Sequence, residues 1–383
     1  TATRAPAATS APSTDVKVGV LHSLTGTMSI SEIAVKNATL MAIDEINAAG
    51  GVMGKKITVT LEDGASEPST FAQKAQKLIQ QDKVVTVFGG WTSASRKAML
   101  PVFEQSNHLL FYPIQFEGNE CSVNIVYSGA QPNQQILPAW DWANGKGYKK
   151  VYLLGSDYVY PRTANLILRK HIESTTGASV VGEDYVPLGG TDFGSVINKI
   201  KAADPDIVFN TINGDSNVSF FKQLSAAGVT IEQLPIISFS IAEQEAQAMG
   251  AALMAGSYAT WNYFQSLDSP ANTKFVAAYK AKYGATQTLD DPMVHGYVDV
   301  WIWKAAVEKA NSFDPIAVRK ALPGIMLDSP MGMITVETNQ SVTQTVYTAQ
   351  LLADGQFKVI GDSGGPVKPI PYDPLVFPGK TCP

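Results

Sequence analysis

Hydrogen-bonding and aromatic side chains occur directly after short apolar runs in both halves of this 383-residue chain. Those that could contact a ligand are Trp91, Thr92, Ser93, Tyr112, Gln115, Tyr158, Tyr160, Asp215, Ser240 and Glu243. Hydroxyl, amide and aromatic groups dominate this set, while lysine and arginine are scarce around it. Such groups suit a small, neutral, polar solute better than a phosphate group or a metal ion.

Each of these residues also has a purely structural interpretation. Ser93 and Asp215 could serve only as helix N-caps. Trp91 and the tyrosines could simply pack beneath loops. Their shared placement after corresponding apolar runs favours a common role in binding.

The chain lacks the residue spacings of familiar catalytic sites. Its four histidines are far apart, with no HxH or HExxH pair, and no GxSxG sequence stands between a predicted strand and a helix. The glycines of VFGGWTSASRK match neither nucleotide-binding pattern, GxGxxG or GxxxxGK[ST]. Cys121 lies near Glu117 and Glu120, but a cysteine amidase needs a base fixed against the thiol. The sequence therefore predicts a protein that is not an enzyme.

Two acidic pairs could hold a calcium ion in an exported protein. They are Glu117 with Glu120 and Asp290 with Asp291. Solvated acidic surface is the alternative interpretation of both pairs. No cofactor is required by the sequence, and a structural calcium ion is left as an alternative.

The elements that must position these residues follow a repeating β-α order. The predicted strands span residues 16–22, 56–63, 84–90 and 108–113, then 150–157, 178–188, 206–212 and 234–240. Helical segments alternate with them, and the first has Ser29 and Glu32 at capping-box spacing. This order predicts two doubly wound, mostly parallel α/β sheets, in which ligands bind beyond the carboxyl ends of the strands.

Composition and charge narrow the class of protein further. The net charge of −5 gives no basic surface for nucleic acid, and no apolar run approaches the roughly 20 residues of a membrane span. Residues 1–14 are rich in Ala, Thr, Ser and Pro and are predicted to be a flexible leader. Cys121 and Cys382 are either two free thiols or one long-range disulfide, which would need an oxidising compartment.

Several longer stretches resemble the periplasmic binding proteins of branched-chain amino-acid and amide ABC transporters. They are VKVGVLHSLTGTMSISE, AIDEINAAGGVMGKKI, GGWTSASRKAMLPVFE, LLFYPIQFEGNECSVNIVYSGAQPNQQ and LLGSDYVYPRTAN. The similarity extends from about Val16 to the C-terminus and is strongest to the members that bind urea. YPIQFEGNECS and GSDYVYPRTAN carry its specific part, since INAAGG occurs across the wider family.

This resemblance implies a type I periplasmic binding fold, with two lobes joined by three crossovers and a cleft that closes on a ligand. The crossovers are expected near Ala130, Trp261 and Met331. Lobe one would comprise residues 15–130 and 262–331, lobe two residues 131–261 and 332–365, and a Pro/Gly-rich tail residues 366–383.

The resemblance also implies a role and a location. In amide-binding relatives, the residues that match Ser93, Tyr112, Tyr158 and Tyr160 line the cleft. The expected protein is a periplasmic monomer that passes its solute to an inner-membrane ABC permease, with a lipid anchor on the full-length precursor left open. In that oxidising compartment Cys121 and Cys382 are expected to form a disulfide.

Urea matches the candidate residues, because it has four N–H donors, one carbonyl acceptor and no net charge. The expected acceptors are Asp215, Glu243 and Gln115, and the expected donors to the carbonyl oxygen are Ser93 and Thr92. Trp91 and Tyr158 could enclose the planar solute between their rings. The alternative is a cytoplasmic short-chain amide sensor of the same fold.

Overall fold

The computed structural model describes residues 15–382. The leader predicted at residues 1–14 lies outside the described residues. The first lobe is built on a five-stranded parallel sheet in the order β2-β1-β3-β4-β5. Its strands are β1 (Val16–His22), β2 (Ile57–Asp63), β3 (Val87–Gly89), β4 (Leu110–Tyr112) and β5 (Ile125–Tyr127). Apart from the partly exposed edge strand β2, these runs are buried on both faces, as parallel strands covered by helices require.

Helices from two distant parts of the chain cover this sheet. The first set is α1 (Ser29–Ala48), α2 (Pro68–Gln80) and α3 (Ser93–Gln105), and the second, which returns later in the chain, is α9 (Pro270–Tyr283), α10 (Asp291–Ala310) and α11 (Pro315–Ala321). α10 packs along α1, and its Trp303 meets Phe88 of β3 edge to face, with ring centroids 6.0 Å apart. One apolar core therefore unites residues 16–127 with most of residues 263–342.

The second lobe repeats the doubly wound pattern. Its parallel strands are β6 (Lys150–Ser156), β7 (Ser179–Val186), β8 (Ile207–Thr211), β9 (Ile236–Ser238) and β10 (Tyr258–Trp261). Its helices are α4 (Ile136–Gly145), α5 (Val159–Ser174), α6 (Gly194–Ala203), α7 (Ser216–Ala226) and α8 (Glu243–Met249). Two apolar clusters, one on each face of the sheet, form its core.

Four further strands extend this sheet. They are β11 (Met326–Ser329), β12 (Gly332–Val336), β13 (Val342–Leu351) and β14 (Phe357–Val367). β13 pairs antiparallel with β10, and β14 pairs antiparallel with β13. The GDSGG stretch at 361–365 lies inside β14, where the Ser363 hydroxyl donates to the carbonyl of Gly365 at 2.6 Å. These five residues fit the GxSxG pattern, but Ser363 lies within a strand. It does not lie at the strand-to-helix turn that holds the nucleophile of a serine hydrolase.

The chain passes between the lobes near residues 130 and 262 and a third time within β13. The third crossover differs from the expectation at Met331, because β11 and β12 form a hairpin whose Ile334 and Val336 belong to the core of the first lobe. Val342 still packs in that core, whereas Ala349 packs in the second. The boundary between the lobes therefore lies about ten residues later than the resemblance implied.

The three crossovers lie side by side and are joined by side-chain hydrogen bonds. Gln344 Nε2 donates to the carbonyl of Ser128 at 3.2 Å, and Asn262 Nδ2 donates to the carbonyl of Thr345 at 2.8 Å. Gln131 Nε2 donates to Ser341 Oγ at 2.6 Å. These bonds fix the relative positions of the three segments about which the lobes would rotate.

The capping box expected at Ser29 and Glu32 is not formed. The Glu32 carboxylate instead accepts from the backbone N–H of Ser23 at 2.8 Å and lies 3.1 Å from His22 Nδ1. The side chains of His22, Ser23 and Glu32 are all buried. Glu32 therefore fastens the start of α1 to the end of β1.

No helix among residues 15–382 is long and apolar enough to cross a membrane. The structure joins Cys121 to Cys382, with Cα atoms 5.6 Å apart, and the described residues contain no free cysteine.

Candidate functional site

The candidate site lies between the lobes, at the carboxyl ends of both parallel sheets. Ser93 opens α3 immediately after β3, and Tyr112 ends β4. From the second lobe, Tyr158 precedes α5 and Tyr160 lies in its first turn. The parallel order of the strands therefore brings these side chains together from distant parts of the sequence.

Arg96 is the centre of the buried network in the first lobe. Its guanidinium donates to Ser93 Oγ at 2.9 Å, to Glu117 Oε1 at 3.1 Å and to Glu120 Oε1 at 2.8 Å. Ser93 and Arg96 are three residues apart on α3 and so share one helix face. Arg96 has no exposed surface and Glu117 is 1 % exposed, so these charges are paired inside the protein.

The electrostatics of this network keep Arg96 and Glu120 charged. Burial by itself would lower the pKa of Arg96, but the charges of Glu117 and Glu120 raise that pKa well above its usual value. Burial would raise the pKa of Glu120, but the charges and hydrogen bonds of Arg96 and Lys97 lower it to about 2. Since Tyr127 also donates to Glu120 at 2.9 Å, this carboxylate is fully engaged.

Ser93 is held in a different role from the one expected. Its hydroxyl proton is donated to Glu117, and one of its lone pairs accepts from Arg96. A hydroxyl has one proton and two lone pairs, so Ser93 retains acceptor capacity and no free donor. The remaining donors on this side are the backbone N–H groups of Ser93 and Ala94 at the start of α3, which have no partner within the helix, whereas the N–H of Ser95 donates to Thr92.

Aromatic rings enclose the network. The Arg96 guanidinium lies 5.0 Å from the ring centroid of Tyr112 and 4.6 Å from that of Phe116. Phe116 stacks in turn on Tyr127, with centroids 4.9 Å apart. The Tyr112 hydroxyl donates to the carbonyl of Trp91, which fixes the ring and the loop before α3 together.

The second lobe contributes tyrosines that face this network. The rings of Tyr158 and Tyr160 lie 6.3 Å apart. Burial raises the pKa of Tyr160 above its usual value, and the negative charge of Glu117 adds to that shift. The Tyr160 hydroxyl has no hydrogen-bond partner among residues 15–382. It therefore remains available to a ligand.

Several polar contacts beside the cleft cross between the lobes. Trp91 Nε1 donates to Asn213 Oδ1 at 3.2 Å, and Thr27 Oγ1 donates to Asp215. Gln115 Nε2 donates to the carbonyl of Phe239 at 2.8 Å and to Ser240 Oγ at 3.1 Å. Within the described part of the chain Gln115 Oε1 is buried without a partner. These contacts correspond to a closed arrangement of the lobes.

Three of the sequence-predicted residues lie away from the enclosed part of the cleft. Thr92 caps α3 by accepting from the N–H of Ser95 at 3.1 Å, and it lines an open groove of about 410 Å³ together with Tyr158. Asp215 is exposed at the rim, where it accepts from Thr27. Glu243 accepts from the N–H of Gln265 at 2.7 Å beside the second crossover. The structure gives Asp215 an interlobe contact and Glu243 a contact beside the hinge, and their part in ligand binding stays a prediction.

The structure gives the calcium candidates other partners. Glu117 and Glu120 both pair with Arg96, and Glu120 also pairs with Lys97 at 2.8 Å, so two cations compensate the two carboxylates. Asp290 caps α10 through the N–H of Met293 at 3.0 Å, and Asp291 accepts from the N–H of Asn262 at 2.8 Å. Within residues 15–382 no group of three or more His, Cys, Asp or Glu side chains is placed to hold a metal ion.

Sequence reasoning did not place Arg96, Glu117 or Asn213 among the ligand-binding candidates. Glu117 was considered only as a metal ligand or as a base near Cys121. The available signal was the i, i+3 spacing of Ser93 and Arg96 on a predicted helix. That spacing predicts a shared face but does not predict which carboxylate, about twenty residues later, will meet it.

The assembled site can bind a small polar solute by hydrogen bonds without using a free charge. Its acceptors include the Glu117 carboxylate and Gln115 Oε1, and the Tyr160 hydroxyl can donate or accept. The surrounding rings exclude water, which strengthens these bonds.

Comparison with known proteins agrees with this geometry. Residues 16–376 match the periplasmic binding protein domain family. A Leu/Ile/Val-binding protein homolog of Brucella suis is 26 % identical over 341 residues, which are 83 % of this chain and 83 % of the relative.

Solved structures of similar proteins have the same fold. The solute-binding protein from Rhodopseudomonas palustris BisB5, in complex with 3,4-dihydroxybenzoic acid, is 26 % identical, covers 91 % of this chain and 97 % of its own, and has a TM-score of 0.79. The branched-chain amino-acid protein LivJ from Streptococcus pneumoniae, in complex with isoleucine, is 22 % identical, covers 93 % of this chain and 100 % of its own, and has a TM-score of 0.81. The chain therefore belongs to the periplasmic binding protein family, with the two-lobe fold of an extracytoplasmic solute-binding protein, and is not an enzyme.

Proposed function

We propose that this protein captures urea in the cleft between its lobes and delivers it to an inner-membrane ABC permease. The observation that carries the proposal is the neutralisation of Arg96 by Glu117 and Glu120. Arg96 is the only buried lysine or arginine among residues 15–382. The interior of the cleft therefore lacks an uncommitted cation, and the ligand should carry no negative charge.

This charge arrangement separates urea from the ligands of similar proteins. The relatives crystallised with isoleucine or with a dihydroxybenzoic acid bind molecules that carry a carboxylate. A carboxylate placed in this cleft would lie near Glu117 and would gain no free Arg or Lys partner. Because like charges repel strongly in a low-dielectric interior, such ligands should bind poorly here.

Urea fits the donors and acceptors at the site. Its N–H groups can donate to Glu117, to Gln115 Oε1 and to the Tyr160 hydroxyl, while the backbone N–H groups at the start of α3 can donate to its carbonyl oxygen. Tyr158 can cover one face of the planar molecule. Binding from both lobes would stabilise the closed state over the open one.

A short-chain amide sensor remains the second candidate, because an amide also presents an N–H donor and a carbonyl acceptor to the same groups. The two candidates differ in location and partner. A periplasmic monomer, with or without a lipid anchor on its precursor, belongs to the urea-receptor proposal. A regulatory partner in the cytoplasm belongs to the sensor.

A calorimetric panel tests the class of ligand. The protein is first freed of bound solute by unfolding, dialysis and refolding, and is then titrated with urea, isoleucine and benzoate. The expected result is saturable heat with urea and none with the two carboxylates at the same concentrations. Tighter binding of isoleucine or benzoate than of urea would overturn the proposal.

A further inference from the structure

The segment that follows β14, residues 368–382, contacts both lobes; it is named here the C-terminal strap. Asp373 lies 2.9 Å from His171 Nε2 on α5, and Val376 and Phe377 pack against the core of the second lobe. Asn133, at the first crossover, accepts from the N–H of Ile370 at 2.8 Å and donates to the carbonyl of Lys368 at 2.7 Å. The strap is therefore anchored both to the first crossover and to the second lobe.

On the first lobe the strap contacts the loop that carries the buried carboxylates. The carbonyl of Pro371 accepts from the N–H of Asn119 at 2.6 Å, and Cys382 is bonded to Cys121. Asn119 lies between Glu117 and Glu120 in the sequence, and Cys121 directly follows Glu120. The strap thus holds the backbone between the two carboxylates that meet Arg96.

The backbone of this loop needs support to keep its shape. Gly118 has φ +63° and Asn119 has φ +57°, so two successive residues lie in the left-handed region. Residues other than glycine are disfavoured in that region, although asparagine tolerates it better than most. A Cβ atom at Gly118 would lie 2.6 Å from the Pro371 carbonyl oxygen, so the strap also leaves no room for a side chain there. The backbone of the turn therefore packs directly against the backbone of the strap at Pro371.

We propose that the C-terminal strap and its disulfide position Glu117 for ligand binding, and so set the affinity of the cleft from outside it. The inference rests on the proposed function, in which Glu117 accepts from an N–H group of the ligand. Glu117 belongs to the left-handed turn, and its carboxylate must meet Ser93 and Arg96 at once. Loosening the turn would misplace that carboxylate without touching any ligand-facing side chain.

The first test removes the disulfide. The double variant Cys121→Ser, Cys382→Ser should bind urea about tenfold more weakly than the wild-type protein in calorimetry, since one charge-assisted hydrogen bond contributes that much or more. Gly118→Ala keeps the disulfide but should weaken urea binding to a similar degree. The matched control is Gly364→Ala, because Gly364 also has a positive φ of +70° but has nothing within 4 Å of a built Cβ.

The second test separates positioning from general stabilisation. Removing the disulfide in a Glu117→Gln background should cause at most about a twofold further loss of affinity, since the two changes act through one group. A strap that only stabilised the fold would lower affinity by the same factor in both backgrounds. That result, or unchanged urea affinity in the folded serine and Gly118→Ala variants, would overturn the inference.

The wild-type titration distinguishes the two proposals. If the wild-type protein binds urea and the strap variants bind it equally well, only the role of the strap is wrong. If the wild-type protein does not bind urea, the proposed function is wrong and the inference about the strap is overturned with it.

Discussion

Glu117 is the side chain on which the selectivity of the cleft depends most directly. It accepts from Ser93 and Arg96 and is almost completely buried, so its charge is fixed in place before a ligand arrives. An acceptor that does not have to reorganise on binding loses little entropy when the ligand arrives. A neutral N–H donor benefits from this arrangement, whereas a carboxylate does not.

The first prediction follows from this role. Glu117→Gln should weaken urea binding by about tenfold or more, because a charged acceptor is replaced by a neutral amide of the same shape. Isothermal calorimetry measures the change, and Glu308→Gln is the matched control, since Glu308 pairs with Lys304 on the outer face of α10. Equal urea affinity in the Glu117→Gln and wild-type proteins would show that this carboxylate does not meet the ligand.

At the scale of elements, the β-α order could be predicted from sequence because its signals are local. Apolar runs with β-branched residues predicted the strands β1, β6 and β8, and polar turns separated these runs from amphipathic helices. The short strand β10 and helix α8 were not predicted, and β14 was taken in part as a Pro/Gly-rich tail. Their existence depends on partners such as β13, far away in sequence.

The candidate site was predictable only in part, for a related physical reason. Position at a strand end identified Ser93, Tyr112, Tyr158 and Tyr160, since parallel topology brings such ends together. The pairing of Arg96 with Glu117 and Glu120 depends on the shape of an irregular loop. Local patterns do not fix that shape, so the carboxylates were interpreted as either solvated acidic surface or a metal site.

The elements around the second crossover carry several buried acidic side chains. Glu243 and Glu245 come from α8, and Asp290 and Asp291 lie at the start of α10. Burial raises the pKa of Glu243 to about 8, and the charges of Asp291 and Glu245 add to the shift. Burial also raises the pKa of Asp290 well above its usual value, with the charges of Glu245 and Glu243 acting in the same direction. These hinge contacts therefore favour protonated carboxyl groups.

The second prediction concerns how stability depends on pH. The folded-state pKa of Glu243 is raised, so the folded protein holds a proton that the unfolded chain releases above its ordinary pKa. The resulting stabilisation is complete below that ordinary pKa and is lost as the pH rises through about 8. Between pH 6 and pH 9 the free energy of unfolding should fall, and Glu243→Gln should reduce that fall by at least about 1 kcal/mol.

Denaturant unfolding at the two pH values measures this effect. Gln can accept the N–H of Gln265 as Glu243 does and can replace its acidic proton with an amide donor. Glu308→Gln again serves as the exposed control and should leave the pH dependence unchanged. An identical loss of stability in Glu243→Gln and wild-type proteins would exclude Glu243 as the titrating group.

At the scale of the whole molecule, the two lobes meet through contacts that only a closed arrangement can make. Trp91 reaches Asn213, and Gln115 reaches the backbone of Phe239. A ligand that contacts both lobes shifts the population toward that arrangement by its difference in affinity for the two states. The crossovers supply the hinge about which such a rotation can occur.

The third prediction is a measurable change of size. Saturating urea should lower the radius of gyration of the ligand-free protein in small-angle X-ray scattering, because the lobes close over the solute. Isoleucine at the same concentration should leave the profile unchanged. A scattering profile that is identical with and without saturating urea would argue against ligand-driven closure.

The central claim is that acceptors surround both ends of a neutral ligand, and one calorimetric comparison tests it most directly. Acetamide differs from urea by a methyl group in place of one NH₂ group, so it would leave a buried acceptor unpaired at a cost of roughly 1–3 kcal/mol. Titrated into the same ligand-free protein, acetamide should bind at least about tenfold more weakly than urea. Equal affinities for urea and acetamide would contradict the account and favour an amide sensor.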